Sequence, residues 1–246
     1  LFQRDPSLAH TLLLGESLAK SDDIEAALSL LLAAKRDIAQ STAISGLLLE
    51  IYTNAQQHEN ALIEVGELLK QNRLDQTALI AKASLLTEVG QYEKAKLALN
   101  ILYGLWNDNP RLLVKLSKLQ VSANDLTGAR TSLNDAKAIA PNSVTIALEE
   151  AKLNLRANQL DGLEKEIKAI QAKAPNSPEV YLLAGNFYNV TKDKQKAFSA
   201  FSRAFKLDPH TSIHAASLFQ SASSESMFIA FEALMHPYVE KYPNAY

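Results

Sequence analysis

The feature that most constrains this chain is a set of residue columns that return every 34 positions. Counting in both directions from Gly185, a mostly small column holds Gly15, Leu49, Ala83, Ser117, Ala151, Gly185 and Phe219. Twelve residues further along, a second column holds Ala27, Ala61, Ala95, Ala129, Leu163, Ala197 and Phe231. Four residues beyond that stand Leu31, Val65, Leu99, Leu133, Ile167, Phe201 and Met235, apolar throughout. Prolines close the unit at Pro141, Pro175, Pro209 and Pro243. A generic amphipathic helix matches one such column by chance, but not several in register over seven steps without an insertion. A period of this length marks a supersecondary unit that cannot bury its apolar face alone, so neighbouring units must stack.

The unit is expected to be a pair of antiparallel helices. Gly and Pro number only eight each in 246 residues, and 47% of the chain is hydrophobic, dominated by Ala and Leu rather than by β-branched clusters. Small residues in the Gly185 and Ala197 columns let two helix backbones approach, and large residues in the Phe201 column fill the gap to the next pair. Pro ends the second helix because it has no amide hydrogen and clashes with the preceding turn. Ala129 and Ala197 are expected at close crossings, fully buried. Turns are expected near residues 21–23, 55–58, 89–91, 123–125, 157–160, 191–193 and 223–225, giving about fourteen helices and no β-sheet.

The stretch Tyr181–Pro209 carries a large residue at Tyr181, then Gly185, Tyr188, Ala197, Phe201, Ala204 and Pro209, and a related Val89–Ala95 "VGQYEKA" marks a turn and second-helix start. These offsets resemble the tetratricopeptide (TPR) repeat family. The resemblance implies an all-α fold, an α-solenoid of seven 34-residue helix pairs wound into a right-handed superhelix. The repeats fall near residues 8–41, 42–75, 76–109, 110–143, 144–177, 178–211 and 212–245, in one array over 1–246. Residues 1–7 are expected to be the tail of a preceding repeat, closed by Asp5-Pro6. The seventh repeat departs from the pattern: Phe219 and Phe231 occupy small-residue columns, and Pro237 falls inside its second helix. Both ends suit a segment of a longer array. Phe219, Phe228, Phe231 and Tyr238 are expected to form an exposed apolar patch, a route to self-association through the C-terminal repeat.

Several functions are excluded or disfavoured. A net charge of −2 lacks the basic excess of a nucleic-acid binder. Zero cysteines removes disulfides, thiolate metal sites and cysteine nucleophiles. No apolar run is long enough to cross a membrane. No phosphate loop, nucleophile elbow or H-E-x-x-H motif is present, so neither catalytic residues nor a metal or other cofactor is expected, and the chain is not read as an enzyme. His210 and His214 share an i, i+4 spacing but have no third ligand nearby, and are read as surface or capping residues. Asp22-Asp23 lies in an expected turn, and Glu149-Glu150 are adjacent in an expected helix, so both pairs are read as solvated or ion-paired rather than as an acid–base dyad. Trp106, Tyr52 and Tyr103 sit at core-compatible spacing.

The TPR resemblance implies that each first helix lines a groove through repeat positions 2, 5, 6, 9, 12 and 13. Carried over, the first two repeats give an apolar to mildly acidic stretch that includes Leu12, Leu13, Glu16, Lys20, Leu47 and Glu50. The fourth and fifth give Arg111, Lys115, Lys118, Lys152 and Arg156, relieved by Glu149. The sixth gives Leu182, Leu183, Asn186 and Asn189, with Glu179 at its mouth. Arg111, Lys115, Lys118, Lys152, Arg156, Asn186 and Asn189 are therefore the candidate partner-binding groove. The family's carboxylate clamp for chaperone tails is not met: Asn186 fits one position, but Leu182 and Ser217 do not fit theirs. The expected function is a protein–protein scaffold holding a partner protein or peptide in the groove, with an acidic or carboxylate-bearing segment against its middle. The Ala/Leu-rich texture and the Pro-Asn-Ser junctions at 141–143 and 175–177 resemble bacterial TPR lipoproteins of PEP-CTERM and exopolysaccharide systems. The alternative is a structural spacer or assembly subunit in an envelope or exopolysaccharide export complex, with a periplasmic or envelope setting slightly favoured over the cytoplasm.

Overall fold

A computed structural model describes residues 6–38 and 41–241. Among the described residues every regular element is an α-helix. In chain order these are α1 (Pro6–Lys20), α2 (Ile24–Asp37), α3 (Thr42–Asn54), α4 (His58–Gln71), α5 (Gln76–Glu88), α6 (Tyr92–Trp106) and α7 (Pro110–Ser122). They continue with α8 (Leu126–Ile139), α9 (Val144–Arg156), α10 (Leu163–Lys173), α11 (Pro178–Val190), α12 (Lys194–Leu207), α13 (Ser212–Ser221) and α14 (Glu225–Lys241). The chain divides inside α8 into two compact units, Leu1–Ser132 and Leu133–Tyr246. Of the expected N-terminal tail, residues 1–5 lie outside the described residues, as does Pro243 in the closing-proline column; Pro6 and Ser7 stand in the first turn of α1.

The 34-residue step is visible in the backbone itself. From α3 onward the first helices of each pair begin at Thr42, Gln76, Pro110, Val144, Pro178 and Ser212, each 34 residues after the last. The residues just before them are Ser41, Asp75, Asn109, Ser143, Ser177 and Thr211, all of the types that cap helix N-termini. Four of the six accept a hydrogen bond from the first turn; Ser41, for example, accepts from the Ile44 amide. At the other end of the first helices, left-handed residues recur at Asp22, Gln56, Gly90, Asn124, Asn158 and Lys192, again 34 apart. The following amide then donates to the carbonyl five residues back: Asp23 to Leu18, Gln57 to Tyr52, Gln91 to Leu86, Asp125 to Gln120, Gln159 to Asn154 and Asp193 to Tyr188. This pairing satisfies carbonyls that the helix end would leave open, and it reverses the chain in three residues at most of the turns.

In the first unit α1 packs on α2, α3 on α4 and α5 on α6, with α2 on α3, α4 on α5 and α6 on α7 linking the pairs. Its core holds Ala27, Leu31, Ile44, Leu48, Ala61 and Val65, then Ala95, Leu99, Leu102 and Trp106. Trp106 is 2% exposed and its indole N–H donates to Gln76 Oε1 at 2.8 Å, so it is a core residue with its polar atom satisfied. In the second unit α9 packs on α10, α11 on α12 and α13 on α14, linked by α10 on α11 and α12 on α13. Ala129, in the first unit, and Ala197, in the second, are both wholly buried, as expected.

The seventh pair breaks the pattern. Ala222, after α13, is extended rather than left-handed (φ −67°, ψ 118°), α13 has only 10 residues, and α14 runs for 17 through Pro237. Phe219, where the column calls for a small residue, is 54% exposed and meets the rings of Phe228 and Phe231. Phe231 and Tyr238 were expected to share an exposed patch with Phe219 and Phe228, but they turn towards the core formed by Phe201, Phe205 and Leu218.

Candidate functional site

The second unit contains a cleft of about 550 Å³ lined by the first helices α9, α11 and α13 and by the junction before α13. From α9 come Lys152, Leu155 and Arg156; from α11 come Pro178, Glu179, Leu182, Leu183 and Asn186; Asp208, Thr211, Ile213 and His214 close the far side. Side chains on the same face of an α-helix recur at three- and four-residue spacing, which is why Lys152, Leu155 and Arg156 share one wall and Glu179, Leu182, Leu183 and Asn186 another. Apolar and polar side chains both line it, with Leu155, Leu182, Leu183 and Ile213 among the charged and amide groups. About seven residues, or ~10 Å of helix, separate Glu179 from Asn186 along α11.

The charges in this cleft are unequally committed. Lys152 is ion-paired with Glu149 one turn back, at 2.9 Å. The Asp208 carboxylate accepts the Thr211 hydroxyl and the His210 amide, bonds that hold its carboxyl below its ordinary value of 3.8. The His214 Nδ1–H donates to the Asp208 carbonyl oxygen at 2.7 Å, closing an open carbonyl beyond the end of α12. His214 is 4% exposed, so it is a buried capping residue; His210 is exposed and sits edge-on to Tyr238. The two histidines therefore have separate structural roles, and among the described residues no three potential ligands gather for a metal ion. Arg156, Asn186 and Glu179 line the cleft with no ion pair or side-chain hydrogen bond among the described residues.

The other candidate residues are placed as follows. Asn189 is exposed on α11 but does not line this cleft. In the first unit Arg111, Lys115 and Lys118 are exposed along one face of α7. The Lys115 ammonium lies over the Trp106 ring, 5.9 Å from its centroid, so the indole already engages it. Glu150 pairs with Lys137 at 2.8 Å, Asp22 adopts the left-handed turn conformation and Asp23 caps α2, so neither acidic pair is poised for proton transfer. Sequence spacing missed Asp208, Thr211, Ile213 and His214 as cleft residues. The available signal was the Asp208-Pro209 helix stop, which places the next junction beside the groove.

The first unit has its own cleft of about 350 Å³ between α1 and α3, lined by Glu16, Lys20, Asp22 and Glu50 over Ala19, Leu47 and Ile51. Lys20 pairs with Glu16, and that bond, with Glu50 nearby, raises its ammonium above its ordinary range. The acidic and apolar character expected of the first two repeats is present in this cleft. No described helix is long and apolar enough to cross a membrane.

The family model of the tetratricopeptide repeat matches residues 178–211, the sixth unit. No curated protein sequence matches the chain. Among solved structures, a tetratricopeptide repeat protein from Parabacteroides merdae aligns with a TM-score of 0.62 at 16% identity, over 89% of this chain and 86% of that one. PilF of Pseudomonas aeruginosa aligns at 0.55 and 17% identity, over 89% and 98%. PilW, described as a widely conserved type IV pilus biogenesis factor, aligns at 0.56 and 14% identity, over 82% and 94%. At these identities the likeness concerns the fold alone, a succession of helix pairs.

Proposed function

We propose that this chain, a tetratricopeptide-repeat protein and so a protein-interaction scaffold, holds an extended segment of a partner protein in the cleft of its second unit. The carrying observation is that Arg156, which has no ion pair among the described residues, and Asn186 line one cleft together with Leu155, Leu182 and Leu183. A planar guanidinium with free N–H groups recognises a carboxylate bidentately, and the asparagine amide adds an orienting hydrogen bond. Leu155, Leu182 and Ile213 offer apolar contact along the cleft, and Ile213 is 53% exposed. Lys152 adds long-range attraction, although Glu149 offsets it. Glu179 at the opposite end favours a basic or amino group there, so an acidic residue followed by apolar ones, and then a basic one, suits the cleft best. Arg111, Lys115 and Lys118 on α7 are a separate set in the first unit, to be tested apart.

The test uses fluorescence anisotropy with a labelled peptide of alternating Glu and Leu, against a Gln/Leu peptide as the neutral control. Arg156→Glu should weaken the acidic peptide about tenfold or more, equivalent to ~1.4 kcal/mol, while leaving the melting temperature unchanged. Binding should also fall as salt rises, because Arg156 is exposed. Equal affinity for the Gln/Leu peptide, or full binding by Arg156→Glu, refutes the assignment.

A further inference from the structure

On the α10 and α12 side of α11 lies a second void of about 400 Å³, distinct from the cleft, between Gln171, Tyr181, Tyr188, Lys196, Ser199 and Arg203. Lys196, Ser199 and Arg203 follow the three- and four-residue spacing that puts them on one face of α12. The Arg203 guanidinium lies over the Tyr181 ring, 5.7 Å from its centroid. Lys196 lies over Tyr188 at 5.2 Å.

The acids in this neighbourhood are already used. Glu164 pairs with Lys168 at 2.9 Å and accepts the Tyr188 hydroxyl at 3.0 Å. Asp193 accepts the Lys196 amide as the cap of α12 and pairs with the Lys196 ammonium at 3.0 Å. The Tyr181 hydroxyl donates to the Pro175 carbonyl. What remains without a hydrogen bond or carboxylate partner among the described residues is Arg203, the Ser199 hydroxyl and the Gln171 amide, all opening on one void. Three cations (Lys168, Lys196, Arg203) stand against two carboxylates (Glu164, Asp193), which leaves one positive charge over.

We propose that this void is an oxyanion site that takes one carboxylate group, held by Arg203 with Ser199 and Gln171. A cation over a ring face is attracted without being neutralised. Tyr181 thus seats the guanidinium while its in-plane N–H groups stay available for two parallel bonds to a carboxylate. Ser199 and Gln171 supply donors from α12 and α10, so the group is approached from both sides. The single excess charge matches a carboxylate rather than a phosphomonoester, which carries roughly −1.5 to −2 at neutral pH. This site shares no residue with the cleft of α9, α11 and α13 and stands or falls independently of it.

The experiment follows the Arg203 side-chain Nε–H resonance of the whole chain during titration with N-acetylglutamate amide, which bears one carboxylate. N-acetylglutamine amide is the isosteric neutral control, and inorganic phosphate is a competing oxyanion. Saturable shifts with the glutamate compound alone are expected. With Tyr181 as the reporter, Arg203→Lys, which keeps the charge but loses the planar fork, should weaken binding at least tenfold. Tyr181→Phe keeps the ring and should bind as the parent does, with Tyr188 as its reporter, and Arg156→Glu should leave the signal intact. Repeating the titration with the Glu/Leu peptide separates a partner-borne carboxylate, which binds more tightly, from a free metabolite, which binds no worse than the peptide. Equal shifts with the glutamine compound, undiminished binding by Arg203→Lys, or preference for phosphate would each overturn the proposal.

Discussion

Replacing Gly185 with alanine adds a single methyl group at the crossing of α11 and α12. An ideal Cβ there would stand 2.4 Å from Phe201 Cε1 and 2.5 Å from Cδ1, against ~3.5–4.0 Å for relaxed carbon contacts. Phe201 is 1% exposed and packs in the core with Phe205 and Leu218, so its ring cannot withdraw without moving them. Overpacking of this kind costs about 1–3 kcal/mol. Helix propensity acts in the opposite direction, since alanine is favoured over glycine by ~0.8–1 kcal/mol inside a helix. Gly104→Ala in α6 isolates that second effect, because a Cβ there meets nothing within 4 Å. Gly104→Ala should therefore stabilise by about 1 kcal/mol. Gly185→Ala should lie ~1–3 kcal/mol below it. Gly15→Ala should fall between, because its nearest contact, Leu31 Cδ2 at 3.0 Å, is less severe than that at Gly185. Urea unfolding by circular dichroism gives each value, and hydrogen exchange of α11 and α12 amides reports whether the loss is local, as a linear stack requires. The Gly185→Ala, Phe201→Leu double variant should be more stable than the sum of its parts predicts. Stabilisation of Gly185→Ala equal to that of Gly104→Ala would refute the close crossing.

Two further outcomes follow from the turns and the ion pairs. Gln56 and Lys192 hold left-handed backbones at φ 57° and 63°; glycine bears that conformation without the ~1–2 kcal/mol cost of a side chain. Gln56→Gly and Lys192→Gly should thus raise the melting temperature by a few degrees, and a fall in either would contradict the turn geometry. Acidification should destabilise the second unit, because Glu164, held below its ordinary 4.5 by Lys168 and then by the Tyr188 hydroxyl, and Asp193, held below 3.8 chiefly by the Lys196 amide, release protons more readily folded than unfolded. Their contribution is complete above those ordinary values and disappears as pH falls through the lower folded ones, so melting temperature should drop below about pH 4. Lys168→Met should flatten that drop, and a steeper one would reverse the assigned sign.

What the sequence disclosed, and what it withheld, follows from which interactions repeat. Packing at a helix crossing recurs with each repeat, so the Gly185, Ala197 and Phe201 columns and the turns are periodic and readable. The seventh pair escapes because Phe219 cannot occupy a small-residue crossing; α13 ends early, the left-handed turn is replaced by an extended residue, and Phe231 and Tyr238 move inward. Binding chemistry is not periodic, and the groove positions alone did not rank the basic residues. The Glu149–Lys152 spacing of three residues was a legible sign that Lys152 is partly neutralised, whereas Arg156, four residues further on, has no such neighbour. Lys115 over Trp106 and Arg203 over Tyr181 were not legible, because both depend on how one helix rotates against the next. Binding is therefore proposed at arginines that have no ion pair among the described residues rather than where basic residues are most numerous. Around Arg203 the carboxylates Glu164 and Asp193 are already paired, whereas Arg156 shares its cleft with Glu179, which has no ion pair among the described residues either; each arginine stands at its own void in the second unit.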